Sequence, residues 1–356
     1  MKEKKRVLLG MSGGVDSSVA AILLKEQGYE VVGITMNLWN NEKTVEEEMS
    51  SSAFDAKKVC EILNIEHHIV NFEDDFNNKV INYFCNCYKE CKTPNPCIEC
   101  NKYFKFGAMY EKAKELDCDY IATGHYAKVE YDERYNKYVL KKSNAGRKDQ
   151  SYVLYSIDKN LLDKIIFPLN NFEEKSQIRK IAEEHGLQIA NKPDSEDICF
   201  IPDGDYKKFL EENSNIIQNP GNIVHVDGRI LGKHNGLYNY TIGQRKGMGI
   251  SNPVPLFVVG FNKEKNEVIV GESDKLFSKV LYLEEVNLLL EDEILEKTEV
   301  MAKIRYSAKE AKAFVYPIQN GKMKVEFEEP QRAITPGQSA VFYIGDIVLG
   351  GGKIKC

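Results

Sequence analysis

No apolar stretch in this 356-residue chain approaches the ~18 residues that a membrane-spanning helix needs. The N-terminal "MKEKKRVLLGMSGG" runs from charge into a glycine turn too soon for a secretory leader. A cytosolic protein with no membrane partner is the expectation. Excess positive charge is missing as well: 48 Lys and Arg face 54 Asp and Glu, for a net charge of −6. That weighs against sequence-blind coating of nucleic acid and leaves local basic patches to dock any phosphate backbone. Internal repeats and low-complexity segments are absent. Nine cysteines, an odd number, make a poor disulfide framework in such a compartment and suit packing, metal binding or catalysis better. The length allows two or three domains.

Strand and helix signals alternate through the first half. "RVLLG" (6–10) reads as a buried strand, "VDSSVAAILLKEQG" (15–28) as a helix ending at Gly28, and "EVVGITM" (30–36) as the next strand. The helix "AFDAKKVCEILN", the strand "EHHIVNF", helices near 75–90 and 101–116, and the strand "DYIATGHY" follow. The expected fold class is α/β, a doubly wound parallel sheet with ligands at the carboxyl ends of its strands. From about residue 222 the texture changes to short β-rich runs with turn signals, such as "LFVVGFNKEKNEVIVGE" and "GQSAVFYIGDIVLGGG". These predict one or two small antiparallel modules of barrel form.

Chemistry begins at "LLGMSGGVDSS". The chain leaves a strand at Gly10, passes Met11, Ser12, Gly13 and Gly14, and enters a helix at Val15, Asp16 and Ser17. Such a turn aims backbone N–H groups and a positive helix end at one spot, which suits a phosphate. It has neither the lysine of a Walker A loop nor G-x-G-x-x-G spacing. A tight strand-to-helix turn with purely conformational glycines is the bland alternative. Asp16 reads equally as a Mg²⁺ ligand or as a helix N-terminal carboxylate. The arrangement S-G-G-x-D-S resembles the pyrophosphate loop of ATP pyrophosphatases, which adenylate a substrate.

A second constellation is "TPNPCIEC" (93–100). Cys85, Cys87, Cys91, Cys97 and Cys100 are dense enough to raise a structural zinc site. Cys85 and Cys87, two apart on a predicted helix, cannot face one way. For Cys60 and Cys118 inert burial is the expectation.

With "GITMNLW", "ATGHYA", "KDQSYVLY", "DICFI", "YTIGQRKG" and the closing run, these motifs resemble, in order and spacing, the bacterial tRNA-specific 2-thiouridylases of the ATP pyrophosphatase superfamily. The resemblance implies a pyrophosphatase domain over 1–205, a small central tRNA-contacting domain over 206–275 and a C-terminal β-barrel over 276–356. It implies ATP-dependent adenylation of the C2 oxygen of the wobble uridine, with Mg²⁺, in tRNAs for Lys, Glu and Gln. ATP would contact the loop from Gly10 to Ser17 together with Met36 and Gly124. Cys199 would carry a persulfide delivered by a cysteine desulfurase or a relay protein, and Cys100 would release the sulfur by disulfide formation with Cys199. Asn95, Pro96 and Cys97 resemble the turn beside the target base. His125, Lys148, Asp149, Gln150, Arg305, Tyr306 and Gln338 match tRNA-contacting positions, although the basic runs "KKSNAGRKDQ" and "KIRYSAKEAK", the second at strand spacing, read by themselves as solvated faces. A four-iron cluster on Cys97, Cys100 and Cys199 is the minority reading of the three thiols. One departure stands out: "NNEKTVEEEMSSSAF" (40–54), an expected acidic loop, replaces a segment that is cysteine-rich in relatives. Two other function classes remain, an amide-forming ligase with the same loop and a non-catalytic tRNA-binding protein.

Overall fold

Val7, Leu8 and Leu9 are wholly buried, so β1 (Arg6–Gly10) is covered on both faces, as a parallel sheet between helices requires. The computed structural model describes residues 4–39, 51–191 and 197–355. The chain divides into two units: Met1–Val80, Cys97–Phe200 and Asp346–Leu349 form the first, and Ile81–Pro96, Ile201–Gly345 and Gly350–Cys356 the second.

In the first unit, β1 is followed by α1 (Val15–Glu26), β2 (Glu30–Asn37), α2 (Ser51–Ile62), β3 (Glu66–Asn71) and a single turn, α3 (Glu73–Phe76). The acidic segment expected as a loop lies outside the described residues over 40–50, and α2 begins at Ser51. After α4 (Asn82–Lys89), which belongs to the second unit, come α5 (Pro96–Cys100), a π-helix over Asn101–Ala108 and α6 (Met109–Glu115). Then follow β4 (Tyr120–Ala122), the hairpin β5 (Lys128–Asp132) and β6 (Lys137–Lys141), β7 (Ile165–Ile166) and α7 (Lys175–Glu184). The main sheet has the order β3-β2-β1-β4-β7 with every pair parallel. Its order reverses beside β1, and in such sheets ligands bind outside the carboxyl ends of the strands at that point. Val19, Ala20 and Leu24 of α1 and Ile178 and Ala182 of α7 join Leu9 in one buried core.

Several local expectations change. The strand expected over 119–126 ends at Ala122, because the chain must turn at Gly124 to pass the start of α1. A Cβ on Gly124 would lie 2.9 Å from the Ser17 nitrogen. The turn expected at Asn95–Cys97 is instead the start of α5, with Pro96 at a first helical position, where its missing N–H costs nothing. The helix expected from 101 is π-helical until Met109.

The second unit carries α8 (Tyr206–Asn213), whose Tyr206 and Phe209 pack on Tyr88 and Phe84 of α4. Cys85 and Cys87 are buried in α4. Two β modules follow. β8 (Gly221–His225), β9 (Ile230–His234), β10 (Phe257–Asn262) and β11 (Glu267–Gly271) form a sheet of order β10-β11-β8-β9. Within it β11 and β8 run parallel, pairing Glu267 with Asn222 through Val270 with His225. This corrects the all-antiparallel expectation: the long connection after β9 lets the second hairpin return beside the first in the same direction. The last module is β12 (Phe277–Leu288), β13 (Thr298–Lys303), β14 (Ala311–Ile318), β15 (Lys322–Arg332), β16 (Ser339–Ile344) and β17 (Ile347–Lys355). They lie in the order β12-β15-β14-β13-β16-β17, and β12 pairs back onto β17, closing an antiparallel barrel. Arg305 and Tyr306 fall between β13 and β14, not on a strand, because the chain turns there with the Ala308 N–H on the Arg305 carbonyl.

Gly13 has φ +70°, and a Cβ there would stand 2.4 Å from the Ser52 carbonyl oxygen. Gly13→Ala is therefore expected to cost about 2–3 kcal/mol, from left-handed strain and collision with a backbone atom. Urea unfolding measures it, and an unchanged midpoint would show that the turn does not close on α2.

Candidate active site

Gly14 is the N-cap of α1, and being glycine it offers no side chain to the first helical N–H groups. Those groups and the positive helix end are left for a ligand. The turn itself is held by serines. Ser17 Oγ accepts from the Ser12 N–H at 3.2 Å and donates to the Gly14 carbonyl at 3.1 Å. Ser18 Oγ donates to the same carbonyl at 2.9 Å. Gly124 presses on Asp16 and Ser17 from the end of β4, and the Met11 N–H bonds the Ile34 carbonyl of β2. Met36 is half-buried near the end of β2. Gly10 to Ser17 and Gly124 are thus brought together, with Met36 on the adjacent strand.

Asp16 has two protein partners. Its Oδ1 accepts from the Tyr126 hydroxyl at 2.7 Å, and its Oδ2 pairs with Lys175 Nζ at 2.6 Å. Lys175 is the first residue of α7, whose start is fixed by reciprocal bonds between Glu174 and Gln177. A cavity of about 500 Å³ opens beside it, lined among others by Arg147, Lys148, Glu173 and Glu174. A carboxylate is a suitable donor for Mg²⁺, yet the cation now at Oδ2 is an ammonium. The sequence did not single out Lys175. Tyr126 lay inside a quoted motif, but nothing in the pattern tied it to Asp16.

The segments that carry two thiols far apart in sequence are tied together by aromatic packing. Cys100 ends α5, and Phe104 lies on the π-helix that follows; Cys199 immediately precedes Phe200. Both phenylalanines pack edge-on against Phe76, with centroids 5.4 Å and 5.8 Å away. All three rings are buried. Cys100 is buried, whereas Cys97 and Cys199 are exposed. Burial pushes the Cys100 thiol up to about 12, only partly opposed by Lys105; nearby Cys199 and Cys97 push the same way as burial. Desolvation raises Cys97 and Cys199 too, and in both Lys105 acts in the lowering direction. Among the described residues, no three His, Cys, Asp or Glu side chains are gathered to hold a metal ion.

His125 lies inside this region. It is buried between Phe106 and Phe167, its Nδ1 shares a 2.7 Å hydrogen bond with Thr123 Oγ1, and its Nε2 is 3.5 Å from Lys105 Nζ. Desolvation, with Lys105 helping, holds its pKa well below the usual histidine value. Asp149 and Gln150 brace their own segment: Asp149 accepts from the Ser143 N–H and the Ser151 hydroxyl, and Gln150 Oε1 accepts from the Tyr126 N–H. Lys148 is exposed. Asn95, Pro96, Arg305, Tyr306 and Gln338 belong to the second unit. There Gln338 Nε2 donates to the Thr93 carbonyl at 2.8 Å, two residues before Asn95.

Residues 5–203 match the family described as "tRNA methyl transferase HUP domain", 207–272 a "tRNA methyl transferase PRC-barrel domain" and 278–354 an "Aminomethyltransferase beta-barrel domain". The chain is 50% identical to a tRNA-specific 2-thiouridylase MnmA of Acetivibrio thermocellus, covering 99% of each chain. It is 47% identical to that of Clostridioides difficile, covering 99% of this chain and 98% of the other. Among solved structures it aligns with the U34-tRNA thiolase NcsA of Methanococcus maripaludis at TM-score 0.35 and 22% identity, over 60% of this chain and 69% of that one.

Phe76→Ala removes the ring shared by both thiol segments and is expected to cost about 3–5 kcal/mol, read from the urea midpoint; a loss below 1 kcal/mol would show that other contacts hold Cys199. A thiol raised to about 12 is almost wholly protonated at neutral pH. Alkylation of Cys100 by iodoacetamide should therefore keep rising through pH 10, where an ordinary thiol near pKa 8.5 has levelled off. A plateau below pH 9 contradicts the buried environment.

Proposed function

The chain belongs to the tRNA-specific 2-thiouridylase family, and from that premise we propose how its residues divide a two-stage, ATP-driven sulfur insertion into tRNA. In the first stage the C2 oxygen of the wobble uridine attacks the α-phosphorus of ATP. The α–β anhydride bond breaks and pyrophosphate leaves with the electron pair. A departing polyanion needs donors already aimed at it, and the observation that carries this reading is the uncapped start of α1 at Gly14, with a cation, Lys175, 2.6 Å from Asp16. Met36 and Gly124 would flank the adenosine. Bound Mg²⁺ would shield phosphate charge, with Asp16 as its ligand once Oδ2 is released by Lys175.

In the second stage the terminal sulfur of a Cys199 persulfide attacks C2, and AMP leaves carrying the original oxygen. The Cys100 thiolate then attacks the Cys199 sulfur. The persulfide S–S bond breaks, the terminal sulfur keeps the electron pair as the new 2-thio group, and a Cys100–Cys199 disulfide forms. Two thiols have supplied the two electrons that reduce the transferred sulfur, and an external thiol must reduce the disulfide before the next turnover. The unequal exposure of the pair supports these roles: Cys199 is open to a cysteine desulfurase or relay protein, and Cys100 is buried and protonated until needed. An amide ligase would have no use for the thiols, and methyl transfer would use neither them nor the glycine loop. Asn95, Pro96 and Cys97 would flank the base, and Lys148, Arg305, Tyr306 and Gln338 would meet the tRNAs for Lys, Glu and Gln.

Cys199→Ser is expected to abolish 2-thiouridine formation, read by mass spectrometry of the tRNA, while tRNA-dependent pyrophosphate release continues. Asp16→Ala should abolish pyrophosphate release, with tRNA affinity nearly unchanged. If Cys199→Ser still thiolates, the persulfide does not reside there. Loss of both iron and activity in anaerobically purified Cys97→Ser would replace the persulfide by a cluster.

A further inference from the structure

The thiol site holds one residue whose role neither the motifs nor the reaction scheme assigns. Lys105 follows Cys100 by five positions. In an α-helix that spacing turns a side chain ~140° away; in a π-helix, where hydrogen bonds run i→i+5, it returns to the same side. Cys100 is the N-cap of the π-helix Asn101–Ala108 and already has helical backbone angles. The π register therefore swings Lys105 onto the Cys100 side of the helix. Its neighbours fix it there: Phe104 packs on Phe76, which also receives Phe200 beside Cys199, and Phe106 packs on His125 and Phe167.

His125 completes the arrangement. An ammonium can only donate, so Lys105 Nζ, 3.5 Å away, faces an unprotonated Nε2. The ring proton then sits on Nδ1 and is donated to Thr123 Oγ1 at 2.7 Å. The imidazole is neutral, as its burial and the adjacent ammonium require. A neutral, doubly anchored histidine steadies a lysine without cancelling its charge.

We propose that Lys105, steadied by His125, is the positioning residue of the sulfur site, its ammonium holding negative charge on the sulfurs of Cys97, Cys100 and Cys199. This rests on the sulfur-transfer reading above. Each half of the second stage puts an anion on sulfur, first on the persulfide terminus and then on Cys100, in surroundings whose burial opposes it. The charge of Lys105 opposes that burial at all three thiols.

The test compares the wild-type protein with Lys105→Met, Lys105→Arg and His125→Asn. Alkylation rates at Cys97 and Cys199, assigned by peptide mass spectrometry, are measured with anionic iodoacetate and neutral iodoacetamide. A local cation favours the anionic reagent, so the iodoacetate-to-iodoacetamide ratio should fall roughly three- to tenfold in Lys105→Met. Lys105→Arg should restore it, and His125→Asn should lower it by a smaller factor. Thiolation should fall in Lys105→Met while tRNA-dependent pyrophosphate release stays within about twofold. Lys105→Gln serves as the second variant if the Met variant fails to fold. A ratio unchanged on loss of the charge overturns the proposal, as does equal loss of pyrophosphate release and thiolation. The ratio involves neither ATP nor tRNA, so it judges Lys105 even if Cys199→Ser shows that the persulfide scheme is wrong.

Discussion

Phe76 is where the segments that carry Cys100 and Cys199 are tied. Phe104 reaches it from the helix that begins at Cys100, and Phe200 from the turn that holds Cys199. Each edge-on pair is worth about 0.5–1.5 kcal/mol beyond the area it buries. The larger consequence is geometric. Both segments are tied to one buried ring, which helps to set where an exposed thiol stands relative to a buried one. The roles proposed for the pair rest on that difference in exposure, since two thiols in equal surroundings would offer no basis for loading one and holding the other in reserve.

Electrostatics divides the first unit in a complementary way. At the glycine turn the helix end and Lys175 are positive, and the Asp16 carboxylate is bound to that lysine. At the thiols burial is the largest influence on Cys100, and its environment favours the neutral form. One region is therefore prepared for an anion that arrives charged. In the other, burial keeps the Cys100 sulfur neutral, with Lys105 opposing it only in part.

Legibility in the sequence follows the range of the interactions. β1, α1 and β2 fall within a residue or two of their expected bounds, because buried runs and a C-terminal glycine are local signals. The glycine turn was equally legible, since S-G-G-x-D-S specifies small residues where backbone must approach backbone. Cys100 and Cys199 were legible only through resemblance; "CNKYF" and "CF" each place an aromatic near a cysteine, but nothing local says that both rings share Phe76. The π-helix was not legible. Its register arises where tertiary packing overrides the α-helical period, and an apolar pattern at Phe104 and Phe106 reads as an ordinary helix face. Lys175 was lost for the same reason: its partner Asp16 is distant in sequence. The parallel pairing of β8 and β11 escaped because hairpin signals describe each hairpin and say nothing about how two hairpins meet.

The Asp16–Lys175 pair constrains the order of events. An ammonium 2.6 Å from a carboxylate and largely shielded from solvent is held more firmly than a surface pair, and leaving either charge alone there is unfavourable. A metal ion can join Asp16 only if Lys175 gains another anion at the same time. In the proposed reaction a triphosphate seated at the start of α1 would be such an anion, and it would bring the metal. Nucleotide and ion are thus expected to enter together, each making the other's binding cheaper, and neither replaces the resident pair alone. The thiol region lies outside this exchange, because Lys105 is engaged with His125 and Lys175 with Asp16. Loading of phosphate at one centre therefore need not disturb the charge proposed to steady sulfur at the other, as the proposed two-stage reaction on one base would require.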